Sequence, residues 1–96
     1  MSAQLVSEGG RLRLSGPVTL ATATALATAV EQHLDADLVV DLAAVTEVDS
    51  SALSLLFEWQ RVAKSRQRKV SFCNLPASLS SLAELYGVSD LIPAAA

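Results

Sequence analysis

Hydrophobic and polar residues alternate in two short runs near the start of the chain, Leu5–Ser7 and Arg11–Leu14. Such alternation is typical of strands that bury one face. Glu8-Gly9-Gly10 lies between the runs and supplies glycines that can adopt the positive φ angles of a tight turn. The two strands should therefore form an antiparallel hairpin, and Gly16-Pro17 should end the second strand.

Three later segments have apolar residues at the spacing of helices. The first runs from Leu20 to Leu34 and contains many alanines, which allow a helix to lie close to a sheet. The second runs from Ser50 to Arg66 and has the clearest amphipathic pattern of the chain. The third is the stripe from Leu79 to Tyr86, and Gly87 suits the left-handed position that follows a helix.

Two further segments predict strands. Leu38–Leu42 is a compact apolar run, which is typical of a central strand covered on both faces. Lys69–Leu75 alternates apolar and polar residues, so one of its faces should be buried. Leu91-Ile92-Pro93 should close the domain, and Ala94-Ala95-Ala96 is expected to fray.

The predicted order is β-β-α-β-α-β-α within a single domain of residues 1–96. Strand–helix–strand units give parallel neighbours with right-handed crossovers, whereas the initial hairpin gives an antiparallel pair. The predicted fold class is therefore α/β, with a four-stranded mixed β-sheet and about three helices packed against it.

Charge and composition exclude several functions. The net charge is only −3, and a cluster of basic residues near the end of the second helix suits the negative pole of the helix dipole. Nucleic-acid binding is therefore not expected. No apolar run is long enough to span a bilayer, and Met1 is not followed by a secretory signal pattern. We expect a cytoplasmic protein that reaches a membrane only through a partner.

The chain offers little material for catalysis. Its one cysteine, Cys73, lies in an alternating strand and is interpreted as a buried structural thiol, and its one histidine, His33, is late in the first helix. One cysteine and one histidine cannot build a structural metal site. Gly9-Gly10 is a hairpin signal, and no glycine-rich nucleotide fingerprint is present. The sequence predicts no catalytic residue, no metal and no cofactor.

The start of the second helix carries the candidate site. Asp49 is expected to cap the helix, because its carboxylate can accept free backbone N–H groups there. Ser50 and Ser51 follow it, at the end of the helix that favours negative charge. A phosphate on Ser50 would be stabilised by those N–H groups and would alter any binding surface nearby.

A helical wheel of about 100° per residue gives this helix a second face. Ser50, Phe57 and Arg61 point away from the core stripe, and Leu53 and Ser54 flank them. A partly apolar exposed face of this kind is a candidate protein-binding surface. The alternative is that Leu53 and Phe57 pack under a neighbouring loop or helix.

The motif Val48-Asp49-Ser50-Ser51-Ala52-Leu53, preceded by the strand Leu38–Leu42, resembles the signature of STAS domains, which are named for sulfate transporters and anti-sigma-factor antagonists. The resemblance covers nearly the whole chain. In the antagonists the pattern is Asp-Ser-Ser/Thr-Gly-Leu-Gly, and the first hydroxyl after Asp is phosphorylated by a partner kinase. Ser50 holds that position here, but Ala52 and Ser54 replace the two glycines.

The end of the chain, from Leu82 to Pro93, looks more like the small cytoplasmic STAS subunit of the Mla (maintenance of lipid asymmetry) ABC transporter, which moves phospholipids between bacterial membranes. That resemblance implies an accessory subunit that binds the transporter's ATPase and supports its activity. The resemblance makes Ser50 an interface residue. Together with the second face of the helix, it predicts partner contacts at Ser50, Ser51, Leu53, Ser54, Phe57 and Arg61.

Two other functions stay open. The triplet Asp49-Ser50-Ser51 also fits an anti-sigma-factor antagonist that a kinase switches by phosphorylating Ser50. A small hydrolase is conceivable because α/β folds support many reactions, but the sequence shows no pair of nucleophile and base. The leading expectation is therefore a protein-binding surface rather than a reaction centre.

Overall fold

A computed structural model of the chain describes residues 3–95, and this part contains four strands and three helices. In chain order these are β1 (Gln4–Glu8), β2 (Arg11–Val18), α1 (Leu20–Glu31), β3 (Leu38–Val48), α2 (Ser50–Ser65), β4 (Val70–Cys73) and α3 (Ala77–Leu85), followed by a 3₁₀ turn at Ser89–Leu91. The predicted order and the α/β class are confirmed. None of these helices is both long and apolar enough to cross a membrane.

The strands lie side by side in the order β1-β2-β3-β4. β1 and β2 are antiparallel, whereas β2, β3 and β4 are parallel. Both crossovers step in the same direction across the sheet, so right-handed connections place α1 and α2 on the same face. The core lies between that face and the helices.

The other face of the sheet is open among residues 3–95, so the prediction that Leu38–Leu42 is covered on both faces is wrong. Asp41 lies on this face and accepts hydrogen bonds from Ala43 N at 2.9 Å and from Asn74 Nδ2 at 3.0 Å, which lower its pKa. Arg11 lies 3.7 Å from the Asp41 carboxylate and donates to Cys73 Sγ at 3.3 Å. Cys73 is therefore only partly buried, not the buried thiol that was predicted.

Two strands are longer than the sequence predicts. β2 continues through Gly16-Pro17 to Val18 because its pairing with β3 shifts register between Arg13 and Ser15 and again between Gly16 and Pro17. Gly16 has a φ of 86°, which a glycine adopts without strain. These irregularities let β2 accommodate the proline, so the strand does not end there. β3 gains a partner along its second half and extends to Val48.

Trp59 and Phe72 form the centre of the core. Trp59 on α2 is 0% exposed and Phe72 on β4 is 1% exposed, and their ring centroids lie 6.5 Å apart at an interplanar angle of 29°. Stacked aromatic rings at this distance stabilise a core beyond the area that they bury. The contact fixes α2 against the last strand of the sheet.

The end of the chain is ordered where fraying was expected. Phe72 N donates to Pro93 O at 2.9 Å, and Ala95 N donates to Phe72 O at 2.8 Å, so Ala94 forms a parallel bridge with Phe72. Ala96 lies outside the described residues. The pairing covers part of the outer edge of β4, which would otherwise leave backbone groups unpaired.

The core can be tested with two identical substitutions at sites of opposite burial. Leu14→Ala removes a side chain that is 0% exposed in β2, so we expect it to lower the free energy of unfolding by about 2–5 kcal/mol. Leu85→Ala removes one that is 76% exposed and should change it by less than about 0.5 kcal/mol. Urea denaturation followed by circular dichroism measures both. Equal effects would contradict the position of the core.

Candidate functional site

Asp49 is the single residue between β3 and α2, and it joins the starts of two helices. Its backbone is extended, with φ −136° and ψ −170°, so α2 begins directly after it. Asp49 Oδ1 accepts from Ser51 N at 2.8 Å, which confirms the predicted cap. Asp49 Oδ2 accepts from Leu20 N, the first residue of α1, at 3.0 Å. The sequence did not predict this second contact.

The same bonds favour the ionised form of the Asp49 carboxylate. The N–H of Leu20 contributes most, followed by the groups of Ser51, and together they hold the pKa of Asp49 below its usual range. Both oxygens of the Asp49 carboxylate accept backbone N–H groups, so this side chain positions the starts of the two helices. The first turn of α2 contains no other acidic residue.

The hydroxyl groups at the start of α2 face different environments. Ser50 and Ser54 are exposed, whereas Ser51 is partly buried. Ser54 Oγ lies 3.5 Å from Ser50 O, within the same helix. Ser50 is therefore accessible to another protein, as the sequence predicted from its position.

An exposed strip, which we call the α2 ridge, consists of Ser50, Ser54, Phe57 and Arg61. Phe57 is partly buried and packs against the core, so it is less exposed than the helical wheel suggested. Arg61 donates from Nε and Nη2 to the two carboxylate oxygens of Glu58 at 2.8 and 2.6 Å. This bidentate pair lowers the pKa of Glu58 and raises that of Arg61. It also holds the guanidinium in a defined position on the ridge.

Leu53 does not belong to the α2 ridge. Its side chain is 5% exposed and is part of the core cluster, so the prediction that it contacts a partner is wrong. α2 contacts α3 as well as α1 and β4, and its buried surface is therefore wider than a stripe facing one neighbour. The alternative interpretation, in which Leu53 packs under a neighbouring element, applies.

A groove of about 270 Å³ between α1 and α2 borders the α2 ridge. Its lining residues are small or apolar with one acid, and they are Ala23, Thr24, Ala27, Ser51, Ser54, Leu55 and Glu58. The carboxylate of Glu58 is already paired with Arg61, so the groove presents no unpaired charge. Sequence reasoning missed the contribution of α1 because only the folded chain brings the two helices together.

Within residues 3–95, no group of three or more His, Cys, Asp or Glu side chains is placed to hold a metal ion. The site therefore consists of exposed hydroxyls, one aromatic edge and one paired guanidinium. Such a surface can bind another protein, and Ser50 presents an exposed hydroxyl at the first position of α2.

Comparisons with known proteins agree with this fold. Residues 1–93 match the family model described as "Mlab, STAS domain". A search of curated proteins gives no significant match. Among solved structures, the anti-sigma factor antagonist SpoIIAA in its unphosphorylated form is similar with a TM-score of 0.66 and 10% identity, over 88% of this chain and 83% of that chain.

A second similar structure is "Crystal Structure Analysis of Mglu", with a TM-score of 0.60 and 22% identity. The match covers 77% of this chain and 20% of that chain, so this chain spans about a fifth of that protein. At these identities the two structures support the fold and not a shared activity.

The role of Asp49 predicts a pH-dependent effect on stability. The pKa of Asp49 is lower in the folded protein than in the unfolded chain, so the ionised carboxylate stabilises the fold. This stabilisation is present above the unfolded pKa of about 4 and is lost as the pH falls through the folded pKa. Asp49→Ala should therefore destabilise the protein at pH 7 and have a smaller effect at pH 3, as measured by urea denaturation. Glu47→Ala, at an exposed acid two residues earlier, is the control and should have little effect. An effect of Asp49→Ala that does not change with pH would contradict the bonding of the carboxylate.

Proposed function

The chain belongs to the STAS domain family, and from that membership we propose that it is a non-catalytic accessory subunit of a phospholipid-transporting ABC transporter of the Mla type. Its partner would be the ATPase subunit, which it would bind and support. It would be cytoplasmic and peripheral to the inner membrane through that partner. The family model, described as "Mlab, STAS domain", supports this choice.

The observation that carries the proposal is the exposed α2 ridge at the junction of β3 and α2. Ser50 and Ser54 are exposed there, Phe57 offers a partly buried aromatic edge, and Arg61 is held by Glu58. Aromatic and arginine side chains are the types that carry most binding energy at protein interfaces. Ser51 lies beside the ridge in the groove with α1 and would contribute to its rim. Leu53 would support the surface from below.

The first experiment is co-purification of the protein with the ATPase subunit of a phospholipid ABC transporter. Ser50→Glu adds a charge to the ridge and Phe57→Ala removes its largest apolar side chain, so each should weaken binding at least about tenfold, or about 1.4 kcal/mol. Affinity can be measured by isothermal titration calorimetry with the purified ATPase. Ser81→Glu, at an exposed position of α3, is the matched control and should retain binding. Full affinity of both ridge variants would place the interface elsewhere.

A second candidate is an anti-sigma-factor antagonist switched by phosphorylation at Ser50. One observation favours it. The Ser50 side chain is exposed in the first turn of α2, and that turn has no acidic side chain. A phosphate at this end of a helix is stabilised by the dipole. The partner would then be an anti-sigma factor with kinase activity.

This alternative predicts that incubation with an anti-sigma-factor kinase and ATP adds one phosphate, which intact-mass spectrometry detects. The gain should be absent in Ser50→Ala and present in Ser54→Ala, which removes the neighbouring exposed hydroxyl. An unmodified wild-type protein that also fails to bind the anti-sigma factor would exclude this candidate. ATPase binding without any phosphorylation would support the transporter proposal.

A further inference from the structure

A groove of about 340 Å³ lies at the outer edge of β4, beside Gln60 in the second half of α2. We call it the β4 groove, and its lining residues are Gln60, Arg68, Lys69, Val70, Ser71 and Pro93. No carboxylate of residues 3–95 lines it. The candidate partner-binding site uses none of these residues.

The first unusual feature of the β4 groove is the side-chain amide of Gln60. Its Nε2 atom is buried from solvent and has no acceptor among residues 3–95. A buried N–H group without a partner is costly, so most such groups in proteins are hydrogen-bonded. Gln60 lines the groove, so rotation of its side chain would let this N–H group meet an acceptor bound there.

The second feature is an unpaired stretch of the β4 edge. Leu38 N donates to Lys69 O at 2.9 Å, whereas Phe72 N and O bond to the tail on the opposite side. Because backbone groups alternate along a strand, the N–H and C=O of Val70 point to the same outer edge as those of Phe72. Pro93 has no N–H group to donate to Val70 O, and Val70 N has no backbone acceptor on this edge among residues 3–95. The Val70 N–H is thus directed into the groove.

The third feature is positive charge. Arg68 and Lys69 are exposed, and neither side chain forms an ion pair within the described part of the chain. The nearby carboxylates have other contacts, since Asp35 pairs with Arg66 at 3.4 Å and Asp37 accepts the backbone N–H of Lys69 at 2.9 Å. Among residues 3–95 the groove is therefore lined by two cations and no carboxylate, on a protein whose net charge is −3.

We propose that the β4 groove binds a phosphate monoester. The two cations match the charge of the dianion, and the guanidinium of Arg68 can donate two parallel hydrogen bonds to phosphate oxygens. The Gln60 amide and the Val70 N–H supply further donors on the inner wall. A soluble phosphate ester and the phosphate of a lipid head group share this chemistry. The site is separate from the α2 ridge, so it does not depend on the proposed function.

Titration of the ¹⁵N-labelled protein with inorganic phosphate, followed by NMR at constant ionic strength, tests the site. We expect saturable shifts of the Val70 amide and of the Gln60 side-chain amide. The double variant Arg68→Ala/Lys69→Ala should bind phosphate at least about tenfold more weakly. Arg13→Ala/Lys64→Ala removes the same formal charge outside the groove and should bind as the wild type does. Gln60→Met, which keeps the side-chain length without the N–H group, should also weaken binding.

The outcomes separate the site from general electrostatic attraction. Shifts that do not saturate, or that are equal in the two double variants, would overturn the proposal.

A second titration uses phosphatidylcholine vesicles with and without phosphatidic acid, followed by co-sedimentation. If Arg68→Ala/Lys69→Ala abolishes binding to the acidic vesicles, the lipid head group is a source of the phosphate. If the wild-type protein does not bind the vesicles but its shifts saturate with inorganic phosphate, the source is soluble. Vesicle binding without saturable phosphate shifts would overturn the groove as the site.

Discussion

The architecture of the candidate site depends on one carboxylate that accepts hydrogen bonds from two helix starts. Asp49 Oδ1 is bound by Ser51 N and Asp49 Oδ2 by Leu20 N, although Leu20 lies 29 residues earlier in the chain. The first four N–H groups of a helix have no partner within the helix, so an acid at the junction serves both ends at once. This arrangement sets α1 beside α2 and thereby forms the groove next to the ridge.

The topology explains why the two faces of the sheet differ so much. Successive right-handed crossovers that move in one direction place both helices on the same side of the sheet. The large core residues lie on that side. The opposite face retains charged residues, such as Arg11 and Asp41, in a hydrogen-bonded network. Residues 3–95 thus build one core, which lies on one side of the sheet.

Much of this could be predicted from the sequence, because local periodicity reports which side of an element is buried. The apolar spacing of α2, the glycine after α3 and the hairpin at Gly9-Gly10 all depend on neighbouring residues, and the structure contains each of them. The second half of β3 was missed because its strand character comes from pairing with an irregular β2. The burial of Leu53 was missed because it comes from packing within the folded core, and the bond from Leu20 to Asp49 connects residues that no local pattern relates.

The junction between β3 and α2 is a single residue, and this brevity has a thermodynamic consequence for docking. A longer connection would let the helix sample many orientations relative to the sheet, and a partner would have to select one of them at an entropic cost. Here the strand fixes the helix axis in advance, and a bidentate ion pair restricts the rotamers of the only arginine on the ridge. The surface is preorganised, so a partner that binds it loses less conformational entropy on association.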